Sequence, residues 1–209
     1  MRTPLAIVTS SLENLEHEPL NEASKGYASR ARDGADRLRR ILTAMSEASR
    51  VEELMKNAEP EAFDLCAALR STVDAYQDVY ANRQFAFEST REPVTVNGSP
   101  ELFIQMLDKL VDNAVDFSSD GDTVTISLTR TETDIKVVVH NPGPHLPERM
   151  RSQLFDSMVS MRTGGDDKHL GLGLYVARLI AEGHGGKIDA ENTDGGVAVT
   201  ISLPGDSHG

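Results

Sequence analysis

From residue 21 to residue 57 no proline interrupts a run in which Leu38, Ile41, Met45, Ala48, Val51 and Met55 recur every three or four positions, with charged side chains between them. That spacing predicts one helix carrying a single apolar stripe. Such a run is too long for an ordinary globular helix and points to a bundle or coiled coil. A partner helix precedes it: Leu5, Val8, Leu12 and Leu15 keep helical spacing over residues 3–16, and Pro4 is tolerable in a first turn. Pro19 in "HEPLN" (17–21) breaks the chain between the two runs. A hairpin of two helices leaves part of the stripe bare. Dimerisation into four helices is the preferred way to cover it; packing of the stripe against the rest of the chain is the other.

Beyond residue 60 the texture changes. "CAALRSTVDAY" (66–76) reads as a short helix, "RQFAFEST" (83–90) and "PVTV" (93–96) as strands, and residues 100–117 as an amphipathic helix. "DTVTISLTR" (122–130), "DIKVVVHN" (134–141), "GKIDAE" (186–191) and "GVAVTISLP" (196–204) alternate apolar and polar residues as half-buried strands do. The fold class expected is α+β: a mixed sheet covered by helices on one face and open on the other, following the helical hairpin. The division expected is 1–57 for the hairpin and 61–205 for the sheet-containing unit. Within the latter, residues 142–170 are rich in Gly, Asp and Pro, with one short helical patch at 148–156, and are read as a mobile loop or lid.

Charge and composition narrow the partners. With 33 acidic against 21 basic side chains the formal charge is −12, a poor match for nucleic acid or an anionic membrane. A polyphosphate bound by so acidic a chain calls for a divalent cation. No stretch is long and apolar enough to span a bilayer, and no secretory signal opens the chain. Cys66 is the only cysteine, so there is no intrachain disulfide, in keeping with a reducing compartment. The six histidines show no paired metal-ligand spacing and most are read as surface or loop residues.

Two stretches carry chemistry. In "HLGLGLYVARLIAEGHGG" (169–186) a Gly171-Leu172-Gly173 turn opens a helix whose buried side is Leu174, Ala177, Leu179, Ile180 and Ala181. Glycine at a helix entry costs stability, which close approach of an anion to bare backbone N–H groups can offset; a tight connection with no ligand fits these residues equally. In "LDKLVDNAVDF" (107–117) Asp108, Asp112, Asn113 and Asp116 supply oxygens beside the apolar face, and Asn113 adjoins that face, where a neutral amide oxygen can meet Mg²⁺. A solvated acidic face is the alternative.

"VDNAVDF" (111–117), "VVVHNPGPHLP" (137–147), "LFDSMVSMR" (154–162) and "HLGLGLYVARLIAEGHGG" follow one another in an order that resembles the ATP-binding domain of sensor histidine kinases, of the GHKL ATPase type shared with gyrase, MutL and the 90-kDa heat-shock chaperone. "RTPLAIVTSSLENL" (2–15) is similar to the start of those kinases' dimerisation and phosphoacceptor helix. The last three motifs also resemble kinases of proteobacterial dedicated-sortase systems.

The resemblance implies a cytoplasmic kinase core, its parent anchored in the bacterial inner membrane, that uses ATP and Mg²⁺ and works as a homodimer with a response-regulator receiver domain, without contact to nucleic acid or membrane. It implies that Asn113 ligates Mg²⁺ and that Asn141 accepts from the adenine amino group where the family usually has aspartate. It places Gly143 beside the adenine, Leu146 and Phe155 at the pocket wall and lid base, and Gly171, Gly173 and Leu174 at the phosphate-side end. The pattern departs from the family's at Lys109, Asp116, His145 and His169 as well as at Asn141. Arg162 or Lys168 in the lid is a candidate replacement cation. The family's acceptor His and the acidic residue after it would precede Met1, so the resemblance implies that this stretch does not autophosphorylate; Thr3 matches a position with a phosphatase role. A nucleotide-binding pseudokinase or docking module is the alternative function. A gyrase-like ATP-gated clamp is disfavoured because Lys109 stands where that branch has its general base.

Overall fold

The computed structural model describes residues 2–57, 59–90, 93–151, 153–156 and 172–205. Two helices open it, α1 (Arg2–Glu16) and α2 (Glu22–Asn57). Asn21 starts α2 by accepting the Ser24 N–H at 2.8 Å, a side-chain cap for an orphan donor. At 1.5 Å per residue the 36 residues of α2 span ~54 Å.

The apolar stripe of α2 divides. Where α2 packs on α1, its buried residues are Ala28 and Ala35, two turns apart, small enough to let the backbones approach. Farther along, Ala48 and Val51 are buried and Met55 joins them in the core beyond the hairpin. Leu38 and Met45, at 55% and 54%, stay exposed, as do Ile7, Val8 and Leu15 on α1. The C-terminal half of the stripe thus packs on the rest of the chain, while its middle is left open.

The next elements are β1 (Glu61–Asp64), α3 (Leu65–Val79), β2 (Gln84–Ser89), β3 (Thr95–Gly98), α4 (Pro100–Phe117), β4 (Thr123–Arg130), β5 (Asp134–Pro142), α5 (Glu148–Arg151), α6 (Leu172–Gly183), β6 (Lys187–Thr193) and β7 (Gly196–Pro204). The described residues form a main sheet in the order β2-β4-β5-β7-β6, with β2 parallel to β4 and the other pairs antiparallel. Its inner face is built in rows. Phe87, Ile126, Val139, Val199 and Ala190 stand side by side across the strands, and Leu128, Val137, Ile201 and Ile188 form the next row. Helices α3, α4 and α6 cover this face, contributing Leu69, Val73, Leu107, Leu110, Val111, Val176 and Ile180 to one continuous core. Thr125, Ser127, Thr200 and Ser202, at the alternate positions, carry the polar face. This is the mixed sheet with one helical layer that the alternation predicted.

The sequence reading had no place for β1. It pairs antiparallel with β3 as a small ribbon, matching Phe63 to Val96. Asp64 ends β1 and caps α3 in one stroke, its Oδ1 accepting the N–H groups of Cys66 at 3.0 Å and Ala67 at 3.3 Å. His184 stands in the turn that follows α6. Its Nδ1 lies 2.8 Å from the Ile180 carbonyl and its Nε2 accepts the Ser99 N–H at 3.1 Å, so the imidazole ties the end of α6 to the start of α4.

Candidate functional site

The site begins where the core rows turn polar. Along β5 the inward positions run Ile135, Val137, Val139 and then Asn141, and the last row across three strands is Asn141, Val197 and Asn192. Asn141 is only 4% exposed. Its Nδ2 donates to the Pro142 carbonyl at 2.9 Å, which fixes the amide and leaves Oδ1, unbonded among the described residues, as an acceptor.

Gly143 follows with φ +146°. A Cβ there would overlap the carbonyl oxygen of Phe117, the last residue of α4. The chain after β5 therefore passes directly under the end of α4, at the only kind of residue that fits. One helical turn back from Phe117, on the same side of α4, stands the half-buried Asn113. One close crossing of α4 and β5 thus sets Gly143, two residues after Asn141, against the end of α4 one turn beyond Asn113.

The acidic side chains of α4 divide. The Tyr76 hydroxyl donates to Asp108 Oδ1 at 2.6 Å and the Tyr80 hydroxyl to Asp112 Oδ1 at 2.5 Å, two rungs between α3 and α4. Burial first, and then the hydrogen bond to a carboxylate, pushes both phenols well above their ordinary range. They remain donors throughout the physiological range. Asp108 and Asp112 are therefore occupied on the α3 side, and no cluster of three or more His, Cys, Asp or Glu able to hold a metal exists among the described residues. A hard cation that keeps most of its waters and takes a single amide oxygen suits what is left. At the far end, Arg83 binds Asp120 and donates to the Ser118 carbonyl at 3.0 Å, pinning the turn after α4.

The wall is held by groups the sequence did not single out. Asn192 clamps Leu146 from both sides: its Oδ1 accepts the Leu146 N–H at 2.7 Å and its Nδ2 donates to the Leu146 carbonyl at 2.9 Å. His145 points away, its Nε2 3.0 Å from the Thr193 carbonyl. Leu146, Phe155 and Leu174 are all buried. Arg178 holds the segment around Phe155 through Asp156 at 3.0 Å.

Gly173 lies in the first turn of α6, and the stem of Lys109 runs beside it, Cδ 3.7 Å from where a Cβ would stand. The Lys109 ammonium points elsewhere, to Glu47 on α2 at 2.8 Å. Thr3 is exposed in the first turn of α1, remote in sequence from this cluster. Arg162, Lys168, His169 and Gly171 lie outside the described residues.

The model of the family described as "Histidine kinase-, DNA gyrase B-, and HSP90-like ATPase" matches residues 98–207. The chain is 26% identical over its whole length to the sensor protein ChvG of Rhizobium meliloti (strain 1021), of which it covers 39%. Among solved structures it is similar to the catalytic domain of histidine kinase ThkA, with 29% identity, a TM-score of 0.63 and coverage of 71% of this chain and 97% of that one. Over 98% of this chain and 58% of the other it also matches ThkA solved in complex with the response regulator protein TrrA, at 25% identity and a TM-score of 0.66. The chain spans 37% to 56% of the length of such curated relatives. No helix among the described residues is long and apolar enough to cross a membrane.

Proposed function

The chain belongs to the histidine kinase-, DNA gyrase B- and HSP90-like ATPase family, and from that membership we propose that it is the kinase core of a two-component sensor, an ATP-dependent protein-histidine kinase. The observation that carries this reading is the crossing that joins Asn113, Asn141 and Gly143. Residues 61–205 are the catalytic unit, residues 1–57 the dimerisation and phosphotransfer hairpin, and 142–170 the lid.

When bound, ATP and Mg²⁺ supply the transferable phosphoryl group and the charge neutralisation its transfer needs. The chain's own part is positioning. Asn113 offers its amide oxygen to the cation, a ligand that adds no charge to an acidic chain. Asn141 accepts a hydrogen bond from the adenine amino group through Oδ1, and Gly143 lets the purine edge reach the backbone. Leu146, Phe155 and Leu174 exclude water from the base, which Asn192 assists by holding Leu146. The first turn of α6, Gly173 included, offers its backbone N–H groups to the phosphates.

The phosphoryl group passes to a histidine and then to an aspartate on a response-regulator receiver domain that docks on the hairpin. Support comes from the ThkA complex, whose chain matches almost all of this one. Thr3, exposed on α1, is the candidate for orienting the water in a phosphatase step that hydrolyses the receiver's aspartyl phosphate. The core works on the cytoplasmic side, in a parent protein anchored in the inner membrane. In residues 1–209 the histidine nearest to α1 is His17, in the turn between the helices. Incubated with γ-labelled ATP, this stretch is expected to take up no label on α1, whereas the same chain extended by a His-Glu pair ahead of Met1 is expected to take up acid-labile, base-stable phosphate. Binding of nucleotide without label in the extended chain would replace the kinase reading by that of a docking module.

The exposed ribbon of Leu38 and Met45, with Val8 and Leu15, supports a homodimeric four-helix bundle. Replacing both Leu38 and Met45 by Glu is expected to weaken the dimer roughly 100-fold, since it sets unpaired charges in an apolar seam. Sedimentation at micromolar concentration checks this, and an unchanged dimer mass would remove that seam from the interface.

A further inference from the structure

We infer that Lys109 exchanges partners: it is held by Glu47 of α2 when no nucleotide is bound and by a nucleotide phosphate oxygen when the site is loaded, so that binding removes the ionic tie between α2 and α4. The inference rests on the proposed nucleotide site. One carboxylate oxygen, Glu47 Oε1, binds both Lys109 Nζ at 2.8 Å and Gln105 Nε2 at 3.0 Å. These are the charged and polar bonds between α2 and α4 at this seam, half-buried on both sides, beside the apolar docking of Val51 and Met55.

Two features aim Lys109 at a second partner. It precedes Asn113 by one helical turn, so both project from the same side of α4. Its stem already lies against Gly173 in the first turn of α6, where an anion is favoured. A lysine tip is mobile about its last bonds, and a phosphate bearing several charges outbids a single carboxylate for it. Exchange leaves Glu47 with Gln105 alone and weakens the polar half of the seam. The apolar half, with Met55 packed over Gly183, then acts without it.

The test is calorimetry on the full chain with MgATP and with adenosine, comparing Lys109→Gln, Lys109→Arg, Glu47→Gln, the double Glu47→Gln/Lys109→Gln variant and Asn113→Ala. The Lys109→Gln variant is expected to bind MgATP roughly tenfold more weakly, the size of one charge-assisted hydrogen bond, and adenosine equally well; arginine restores most of the loss. Glu47→Gln removes the competitor and tightens MgATP by about threefold, as expected of a half-exposed ion pair. The double variant matches Lys109→Gln alone. Hydrogen exchange in residues 45–55 rises on MgATP binding in the wild type and is already raised in Lys109→Gln. Unchanged MgATP affinity in Lys109→Gln or in Glu47→Gln, or an equal loss for adenosine, overturns the exchange. Loss of magnesium-dependent binding in Asn113→Ala belongs to the site itself: if the wild type binds no MgATP, or Asn113→Ala binds it normally, the nucleotide site is wrong, whatever Lys109 does.

Discussion

Asn113→Ala is expected to abolish magnesium-dependent nucleotide binding, with a loss of roughly 100-fold or more, while the fold stays intact. Removing even an outer partner of a metal site costs about 10- to 100-fold, and a direct ligand costs at least as much. Compensation from neighbours is poor. Asp108 and Asp112 are engaged by Tyr76 and Tyr80 on the α3 side of the helix. Alanine is the best helix former, so α4 loses nothing in propensity, and the half-buried amide is not among the core side chains. Titrating ADP by calorimetry with and without Mg²⁺ gives the comparison directly. If the variant kept the magnesium dependence of the parent at an unchanged melting temperature, the cation would have to sit elsewhere.

Gly143→Ala strikes the same place through the backbone. At φ +146° an L residue is strained, and its Cβ would overlap the Phe117 carbonyl oxygen, which cannot move without unwinding the end of α4. Strain of this kind and overpacking against a fixed atom cost about 1–3 kcal/mol each. The melting midpoint is expected to fall by roughly 5–15 °C at a few degrees per kcal/mol. Nucleotide affinity falls with it, because the crossing that joins Asn113 to Asn141 has been pushed apart. Thermal denaturation followed by circular dichroism decides the matter, and a midpoint within ~2 °C of wild type would show that the strand slips aside without penalty.

Much of this architecture is written in spacing. Alternation along "VVVHN" (137–141) puts Val137, Val139 and Asn141 on one face, so a polar side chain at the end of a buried row can be anticipated from parity alone. The same alternation carries the strands β4 and β7, and the helical period of about 3.6 residues carries the buried side of α4. Other parts leave no such trace. β1 is four residues long with a single inward apolar residue, Phe63, too short for a period to declare itself. The α1–α2 seam uses Ala28 and Ala35, which a search for large apolar residues passes over. Asn192, His184 and Glu47 act through partners 46, 85 and 62 residues away in the chain, and their neighbours in sequence say nothing about those contacts. Lys109 shows both sides of the matter: its departure from the family pattern is visible in the letters, whereas its partner appears only when α2 is packed on α6, beside α4.

The bond from Asn141 Nδ2 to the Pro142 carbonyl reaches beyond the end of β5. It commits one of the two carboxamide N–H groups to the main chain and, with the amide so oriented, leaves Oδ1 as an acceptor face. A purine with a 6-amino group meets that face with hydrogen; a purine with a 6-oxo group meets it with lone pairs of its own, and the two repel. At the proposed site the strand terminus is thereby expected to favour adenine over guanine without any charge being placed in the core.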